Sequence, residues 1–400
     1  MQAFSRSPEL LFTITVKPVY LDYHATTPVD PRVLEAMLPF FTERFGNPHS
    51  KQHAFGWDAK DATDTARAQV AALINASAGE ITFTGGATES SNLALKGAVE
   101  ARRPAGNHVV IVATEHKSVL DVCQQFRGQG LDVTVLGVDR EGLVDLDALR
   151  AVMTPRTILV SVMAANNEIG TIQPLAEIGA IAHEHGALLH TDAAQAAGKV
   201  PIDIRAMNVD LLSLTAHKFY GPKGCGALFV RRMKPRLQLA PQVTGGGQEG
   251  GLRSGTLNVP GIVGLGRAAE ICRLEMADEG RRLGALRDRL LEGLRGRLQD
   301  VRVNGSIERR LPHNLHVSFG GVEGEGLLLA LGDLAVSTGS ACSSGSQAPS
   351  HVLEAIGATS QGAGASIRFG LGRTTTAADI DFAIDRVSTV VSALRKQYNF

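Results

Sequence analysis

Short apolar runs recur through the middle of the chain. Each ends in small or polar residues and is followed by a segment of helical spacing. ITFT (81–84) leads to GGATESSN, HVVIVAT (108–114) to EHKSVLD, TILVSVM (157–163) to AANNEIG, ALLHT (187–191) to DAAQAAG, and LLSLT (211–215) to AHKFYGPKG. Runs of this length, bounded by turn residues, read as buried strands, and LAEIGAIAHEHG (175–186) has the apolar spacing of a helix. Strands alternating with helices predict an open, mostly parallel α/β sheet with right-handed crossovers. In such a sheet ligands bind beyond the carboxyl ends of the strands, which is where the polar residues of these runs fall.

The pattern changes near Ile271. RLEMADEGRRLGALRDRLLEGLRGRL predicts a long amphipathic helix, NLHVSFG (314–320) alternates like a half-exposed strand, and DIDFAIDRVSTVVSALRKQ predicts a final helix. This divides the chain into a large α/β domain (28–270) and a small α+β domain (271–400), with residues 1–27 packing on the small one. The opening MQAFSRSPELLFTITVKPV lacks the ordered charged, apolar and small-residue regions of a signal peptide and reads as a lead-in or an extra strand. With 44% hydrophobic residues the 400-residue chain has ample material for a core. Its 40 basic residues balance its 40 acidic ones, which argues against a nucleic-acid or anionic-membrane surface. No stretch reaches the length of a membrane span. Cys123, Cys225, Cys272 and Cys342 form no paired motif, so neither a disulfide framework nor a zinc site is expected, and a reducing cytoplasm fits.

Several strand-end residues suit a phosphorylated aldehyde cofactor. Lys218 follows a strand and precedes the turn YGPKG. A lysine there is ordinarily a solvated surface residue, but in a pocket its amine can form a Schiff base. Asp192, in HTDAAQ, is either a helix cap or a carboxylate for a ring nitrogen. GGATES (85–90) opens a helix directly after a strand, where the glycines admit close backbone approach and the helix N-terminus offers N–H groups to a phosphate. It matches neither common nucleotide-binding glycine motif. His116 can stack on a ring or move protons. Asn167 and Gln195 are strand-end amides suited to a substrate carboxylate and a phenolic oxygen. Cys342 sits in VSTGSACSSGSQAPS, whose small and polar residues have no apolar face; this reads as an exposed loop, while the other cysteines lie in apolar or helical settings and read as structural.

Together FGNPHS, FTGGATESSNLA, ATEHKSVL, NNEIG, HTDAAQ, AHKFYGPKG, GGGQEGGLRSGT and STGSACSSG resemble the cysteine desulfurases of the NifS/IscS type, class V aminotransferase-like enzymes that use pyridoxal phosphate. The resemblance runs from YLDYHATTPVDPRV (20–33) to SIRFGLGR (366–373). It implies the aspartate aminotransferase-like fold of type I and a homodimer. It also implies that Lys218 holds the cofactor, that Ala87, Thr88, Thr215 and His217 bind its phosphate, that Asn167 and Ala216 also contact the cofactor, and that Asp192 pairs with the pyridine nitrogen. Gln195 would meet the ring oxygen, His116 would stack on the ring, and Thr256 would reach the neighbouring subunit's phosphate. Arg368, helped by Asn167, would clamp the carboxylate of L-cysteine. Cys342 would take the sulfur as a persulfide and pass it to an acceptor such as an iron–sulfur scaffold. It would ligate metal only if a cluster were shared transiently with that scaffold.

Three departures accompany the resemblance. Ala216 stands where relatives often carry Gly before His-Lys, Gly250 stands where they commonly carry Arg, and the sequence ends at Phe400, where long-tailed relatives continue into a scaffold-docking segment. Two rival readings stay open: another pyridoxal-phosphate reaction on this fold (selenocysteine lyase, cysteine-sulfinate desulfinase or aminotransferase), or a cofactor-binding partner scaffold of low activity.

Overall fold

A computed structural model describes residues 17–232, 237–322, 324–339, 350–358 and 365–397. Its strands are β1 (Val19–Tyr20), β2 (Ile81–Thr84), β3 (His108–Val112), β4 (Asp132–Leu136), β5 (Thr157–Ser161), β6 (Leu188–Asp192), β7 (Leu211–Thr215), β8 (Gly226–Val230), β9 (Val301–Val303), β10 (Asn314–Phe319), β11 (Leu334–Ala335) and β12 (Ser366–Gly370). The helices are α1 (Pro31–Met37), α2 (Pro39–Thr42), α3 (Ala54–Leu73), α4 (Ala87–Arg102), α5 (Lys117–Gly128), α6 (Leu146–Val152), α7 (Leu175–Glu184), α8 (Val259–Arg297), α9 (Gly324–Ala330), α10 (His351–Ala355) and α11 (Ala377–Gln397).

The main sheet has the order β2-β8-β7-β6-β5-β3-β4. β3 to β7 pair in parallel, while β8 runs antiparallel to both β7 and β2. β2, β3, β5, β6 and β7 are buried along their whole lengths, which is why their sequences read as continuous apolar runs rather than alternating ones. The reversed β8 lets the chain return at once from the turn after Lys218. Its first residue packs tightly there, since a Cβ on Gly226 would lie 2.6 Å from the Cα of Gly86.

A second sheet, β12-β10-β9, is antiparallel and shares a core with the distal half of α8 and with α11 through Leu290, Leu294, Leu315, Val317, Ile380 and Val387. The 39-residue α8 begins earlier than its amphipathic pattern suggests. Its first half (Ile262, Leu265, Ala269) joins the core of the main sheet, so one continuous helix passes from one core to the other. Asn258 caps it by accepting from Gly261 N, with Pro260 in its first turn. Near the N-terminus, β1 pairs in parallel with β11, beside the second sheet.

β10 differs from its half-exposed reading: all six of its residues are buried. The polar members of the alternation are satisfied by other protein groups. Asn304 Nδ2 meets His316 Nδ1 at 2.8 Å and donates to Ser318 Oγ at 2.7 Å, and Asn314 reaches across to His24. Alternation reports chemistry on two faces, and here the polar face meets protein instead of water.

Candidate active site

The carboxyl ends of β2, β5, β6 and β7 open on a cavity of 690 Å³, a size suited to a cofactor and a small substrate. Its lining includes Ala87, Thr88, His116, Asn167, Asp192, Gln195, Thr215, His217, Lys218 and Arg368. Ala216 is fully buried behind this surface, and Thr256 is exposed outside it. Cys342 lies outside the described residues.

The turn after β2 is built for a backbone-bound anion. Gly86 has φ +149°, open to glycine and strained for other residues, and as N-cap it offers α4 no capping side chain. The first-turn N–H groups of α4 are therefore left to a ligand, and the helix dipole favours a negative one. Glu89 reaches back to accept from Gly85 N at 2.7 Å and is itself held by Arg253 at 2.7 Å, which ties the glycine turn to the loop before α8. Thr215 and His217 close the other side of this turn. Burial, then Lys218 and Lys223, pull the His217 imidazole down to about 4, so it faces the turn as a neutral ring.

Lys218 leaves β7 through a single 3-10 turn, Ala216–Lys218. Its Nζ donates to the carbonyls of His24 (2.6 Å) and Ala25 (2.8 Å). Two residues later Tyr220 sits at φ +68°, an uncommon conformation for a bulky residue. It is fixed from several sides: Thr27 Oγ1 accepts from its N–H at 2.8 Å, its hydroxyl donates to Glu279 at 3.0 Å, and Lys199 and Arg373 lie over its ring at 4.0 and 4.2 Å. Gly221 accommodates the Ala216 departure, because a Cβ there would come within 2.7 Å of Ala216 Cβ.

Asp192 closes β6, with Oδ1 accepting from Ala194 N at 2.9 Å. Burial pushes its carboxyl above the usual range, against the opposing pull of nearby His116 and Lys218. A carboxylate held this dry calls for a cationic N–H, which a protonated ring nitrogen supplies. His116 caps α5, accepting from Ser118 N at 3.1 Å through Nδ1, so its ring proton sits on Nε2. Beside it Glu115 is wholly buried. One oxygen accepts from Met163 N at 2.6 Å, the other has no partner among the described residues, and burial followed by the Asp192 charge drives its carboxyl well above the ordinary range.

Arg368, on β12, brings the second sheet to the cavity. Its side chain is 1% exposed, donating from Nη1 to the Asn167 carbonyl (2.9 Å) and from Nη2 to Asp22 Oδ1 (2.8 Å). Its Nε has no partner among the described residues. A buried guanidinium with an unsatisfied N–H at a cavity wall is a receptor for a carboxylate. The donor set thus fits pyridoxal phosphate: an amine for the aldehyde, a carboxylate for the ring nitrogen, and an uncapped helix for the phosphate. His24, Ala25 and Asp22 belong to the site without having been singled out. They lie outside the repeated strand–helix pattern, and only their place in YLDYHATTP marked that stretch at all.

Among the described residues no group of His, Cys, Asp or Glu is arranged to hold a metal ion, and no helix is long and apolar enough to cross a membrane.

Comparison with known proteins shows the family. The family model "Aminotransferase class-V" matches residues 19–382. A cysteine desulfurase IscS of Anaeromyxobacter sp. (strain K) is 56% identical over 95% of this chain and 94% of its own length. The cysteine desulfurase IscS of Rickettsia rickettsii (strain Iowa) is 51% identical over 94% and 92%. Among solved structures, a NifS-like protein superposes with a TM-score of 0.88 at 38% identity, covering 94% of this chain and all of that one. SspA in complex with cysteine superposes with a TM-score of 0.79 at 38% identity, covering 88% and 98%. With matches of this extent and a cavity of this composition, the chain belongs to the class-V aminotransferase family, among its cysteine desulfurases.

Proposed function

We propose that the chain binds pyridoxal phosphate through Lys218 and moves the sulfur of L-cysteine onto Cys342, releasing alanine. The convergence of Lys218, Asp192, His116 and Arg368 on one cavity carries this reading. When bound, the cofactor supplies an electron sink that accepts the pair left when the substrate's Cα proton departs. The chain's own residues do the rest. The α4 N-terminus, Thr88, Thr215 and His217 hold the phosphate, Asp192 keeps the ring nitrogen protonated, and Gln195 meets the ring oxygen. Arg368 fixes the substrate carboxylate with Asn167 at its side. The Lys218 amine, once released to the substrate, moves the Cα proton, and His116 Nε2 is placed to serve the same cavity. The Cys342 thiolate then attacks the substrate sulfur. The Cβ–S bond breaks with its electrons staying on carbon and an S–S bond forms; Cβ takes one proton, in net the one that the substrate thiol gives up, and the return of the Cα proton completes alanine.

The flanks of the Cys342 segment support its part. Gly339 and Ser350 both adjoin Glu168, next to Asn167: a Cβ on Gly339 would lie 2.8 Å from Glu168 Oε2, and Ser350 Oγ donates to that oxygen at 2.5 Å. Ser337 Oγ donates to Asp22, the partner of Arg368, at 3.3 Å.

The working unit is a homodimer. Leu34, Leu38, Phe41, Phe45, Phe55 and Trp57 are each 47–64% exposed along one stretch of the chain, apolar surface that calls for a partner. Thr256, exposed beyond its own cavity, would serve the partner's phosphate. Cysteine and, after it, a sulfur-acceptor protein of the iron–sulfur scaffold kind are the remaining partners.

The test is alanine and sulfide release from L-cysteine with a thiol reductant, by protein showing the visible band of lysine-bound cofactor. A band without either product would leave a cofactor-binding scaffold, and absence of the band would remove the cofactor reading. Asp192→Asn lowers alanine formation by about 10²-fold or more, since a neutral amide no longer holds the ring nitrogen protonated. Arg368→Lys raises KM for cysteine roughly tenfold with a smaller change in kcat, because the charge survives but the two-point fork does not.

A further inference from the structure

We infer that His24 is the positioning residue that locks the Gln195 amide with its NH2 group toward the cofactor oxygen. The inference rests on the proposed cofactor site and extends it to a residue behind the cavity wall. His24 grips both ends of the amide: its carbonyl accepts from Gln195 Nε2 at 3.0 Å, and its ring Nδ1 lies 3.0 Å from Gln195 Oε1. A carbonyl can only accept, so the nitrogen end of the amide must face it, and the oxygen end must then receive the Nδ1 proton. That leaves His24 Nε2 as an acceptor, and Asn314 Nδ2 donates to it at 3.0 Å. Asn314 is itself fixed, with Arg310 Nη1 donating to its Oδ1 at 2.6 Å and the Glu168 carbonyl accepting from its Nδ2 at 2.9 Å.

Every donor and acceptor from Arg310 through Asn314 and His24 to Gln195 therefore has one consistent direction. One Gln195 N–H remains for the cavity that Gln195 lines. His24, Asn314 and Arg310 are 1%, 0% and 6% exposed, so water does not compete with this order. Burial, followed by His313 (rings 4.5 Å apart) and Arg368, holds the His24 imidazole neutral, as an ordered tautomer requires. The packing is tight as well: Gly170, at φ +72°, faces Asn314 so closely that a Cβ would fall 2.4 Å from its amide.

The consequence is spectroscopic. A donor on the ring oxygen weakens that oxygen's hold on the proton of the Lys218 linkage, so losing the donor raises the pH midpoint of the visible band. In holoenzyme, His24→Leu should raise that midpoint by about one unit. His24→Asn, whose Nδ2–H takes the place of the ring Nδ1–H, should restore most of it. Asn314→Asp keeps the Arg310 contact but offers an acceptor to Nε2, which flips the tautomer, so it should shift the midpoint in the same direction. In a Gln195→Leu background His24→Leu should add nothing. An unchanged midpoint in both His24→Leu and Asn314→Asp, or an equal shift in the Gln195→Leu background, would overturn the assignment. If His24→Leu does not fold, Asn314→Asp decides alone. Wild-type protein without a visible band would instead refute the cofactor site itself, so the two failures are distinguishable.

Discussion

Lys218→Ala should lower alanine formation from cysteine by about 10²–10⁴-fold or more, the range expected for loss of a positioned proton-transfer group, with loss of the covalent anchor added to it. Reduction with borohydride should fix cofactor to wild-type protein at Lys218 and leave the variant unlabelled. Cofactor should still be retained non-covalently, because the α4 N-terminus, Thr88, Thr215, His217 and Asp192 are untouched. In the described state the Lys218 ammonium satisfies two carbonyls, His24 O and Ala25 O. Removing it leaves Ala25 O short of a donor, while His24 O keeps the Gln195 amide; at about 1–3 kcal/mol for a group that water cannot reach, the variant's apo form should melt slightly lower. Lys218→Arg keeps the charge and the carbonyl contacts but has no amine for the linkage. It should recover the melting temperature and none of the activity, which separates the structural share of Lys218 from its chemistry.

Cys342→Ser should abolish sulfide and alanine release from cysteine, by on the order of 10³-fold or more, while the visible band and its response to added cysteine persist. The other thiols cannot substitute. Cys123, Cys225 and Cys272 are buried, and burial pushes the first two up to about 12 and raises the third. At neutral pH roughly one in 10⁵ of the first two is ionised, against a few per cent for an ordinary exposed thiol. Replacing any of these three by alanine should leave turnover nearly unchanged. If Cys342→Ser still released sulfinate-derived or selenium products from the corresponding substrates, the chemistry on the cavity side would be intact and only the sulfur transfer lost. Full desulfuration of cysteine by Cys342→Ser would move the chain to another reaction of its family.

What was legible in the sequence followed from strand ends. Asp192, Thr215, Lys218 and the 85–90 turn were found because apolar runs fix where parallel strands stop, and the sheet then gathers those stops at one edge. His24 and Asp22 come from a stretch outside that repeat, and the fold alone carries them to the cavity. The reversed β8 was hidden because a buried antiparallel strand has the same apolar texture as a parallel one. The burial of β10 was hidden because Asn314, His316 and Ser318 are polar yet meet protein partners, His24 and Asn304, in place of water. The length of α8 was underestimated because its first half, buried against the main core, lacks the charged face that made the second half recognisable.

In the proposed reaction sulfur leaves cysteine onto Cys342 in a cavity organised by Lys218. This transfer is tested most directly by mass spectrometry of the cofactor-loaded protein after brief exposure to L-cysteine without reductant, with peptides mapped after thiol alkylation. One added sulfur atom is expected on the peptide bearing Cys342, none on those bearing Cys123, Cys225 or Cys272, and none anywhere in Lys218→Ala. Alanine released in step with sulfur that appears on another cysteine, or on no cysteine, would contradict it.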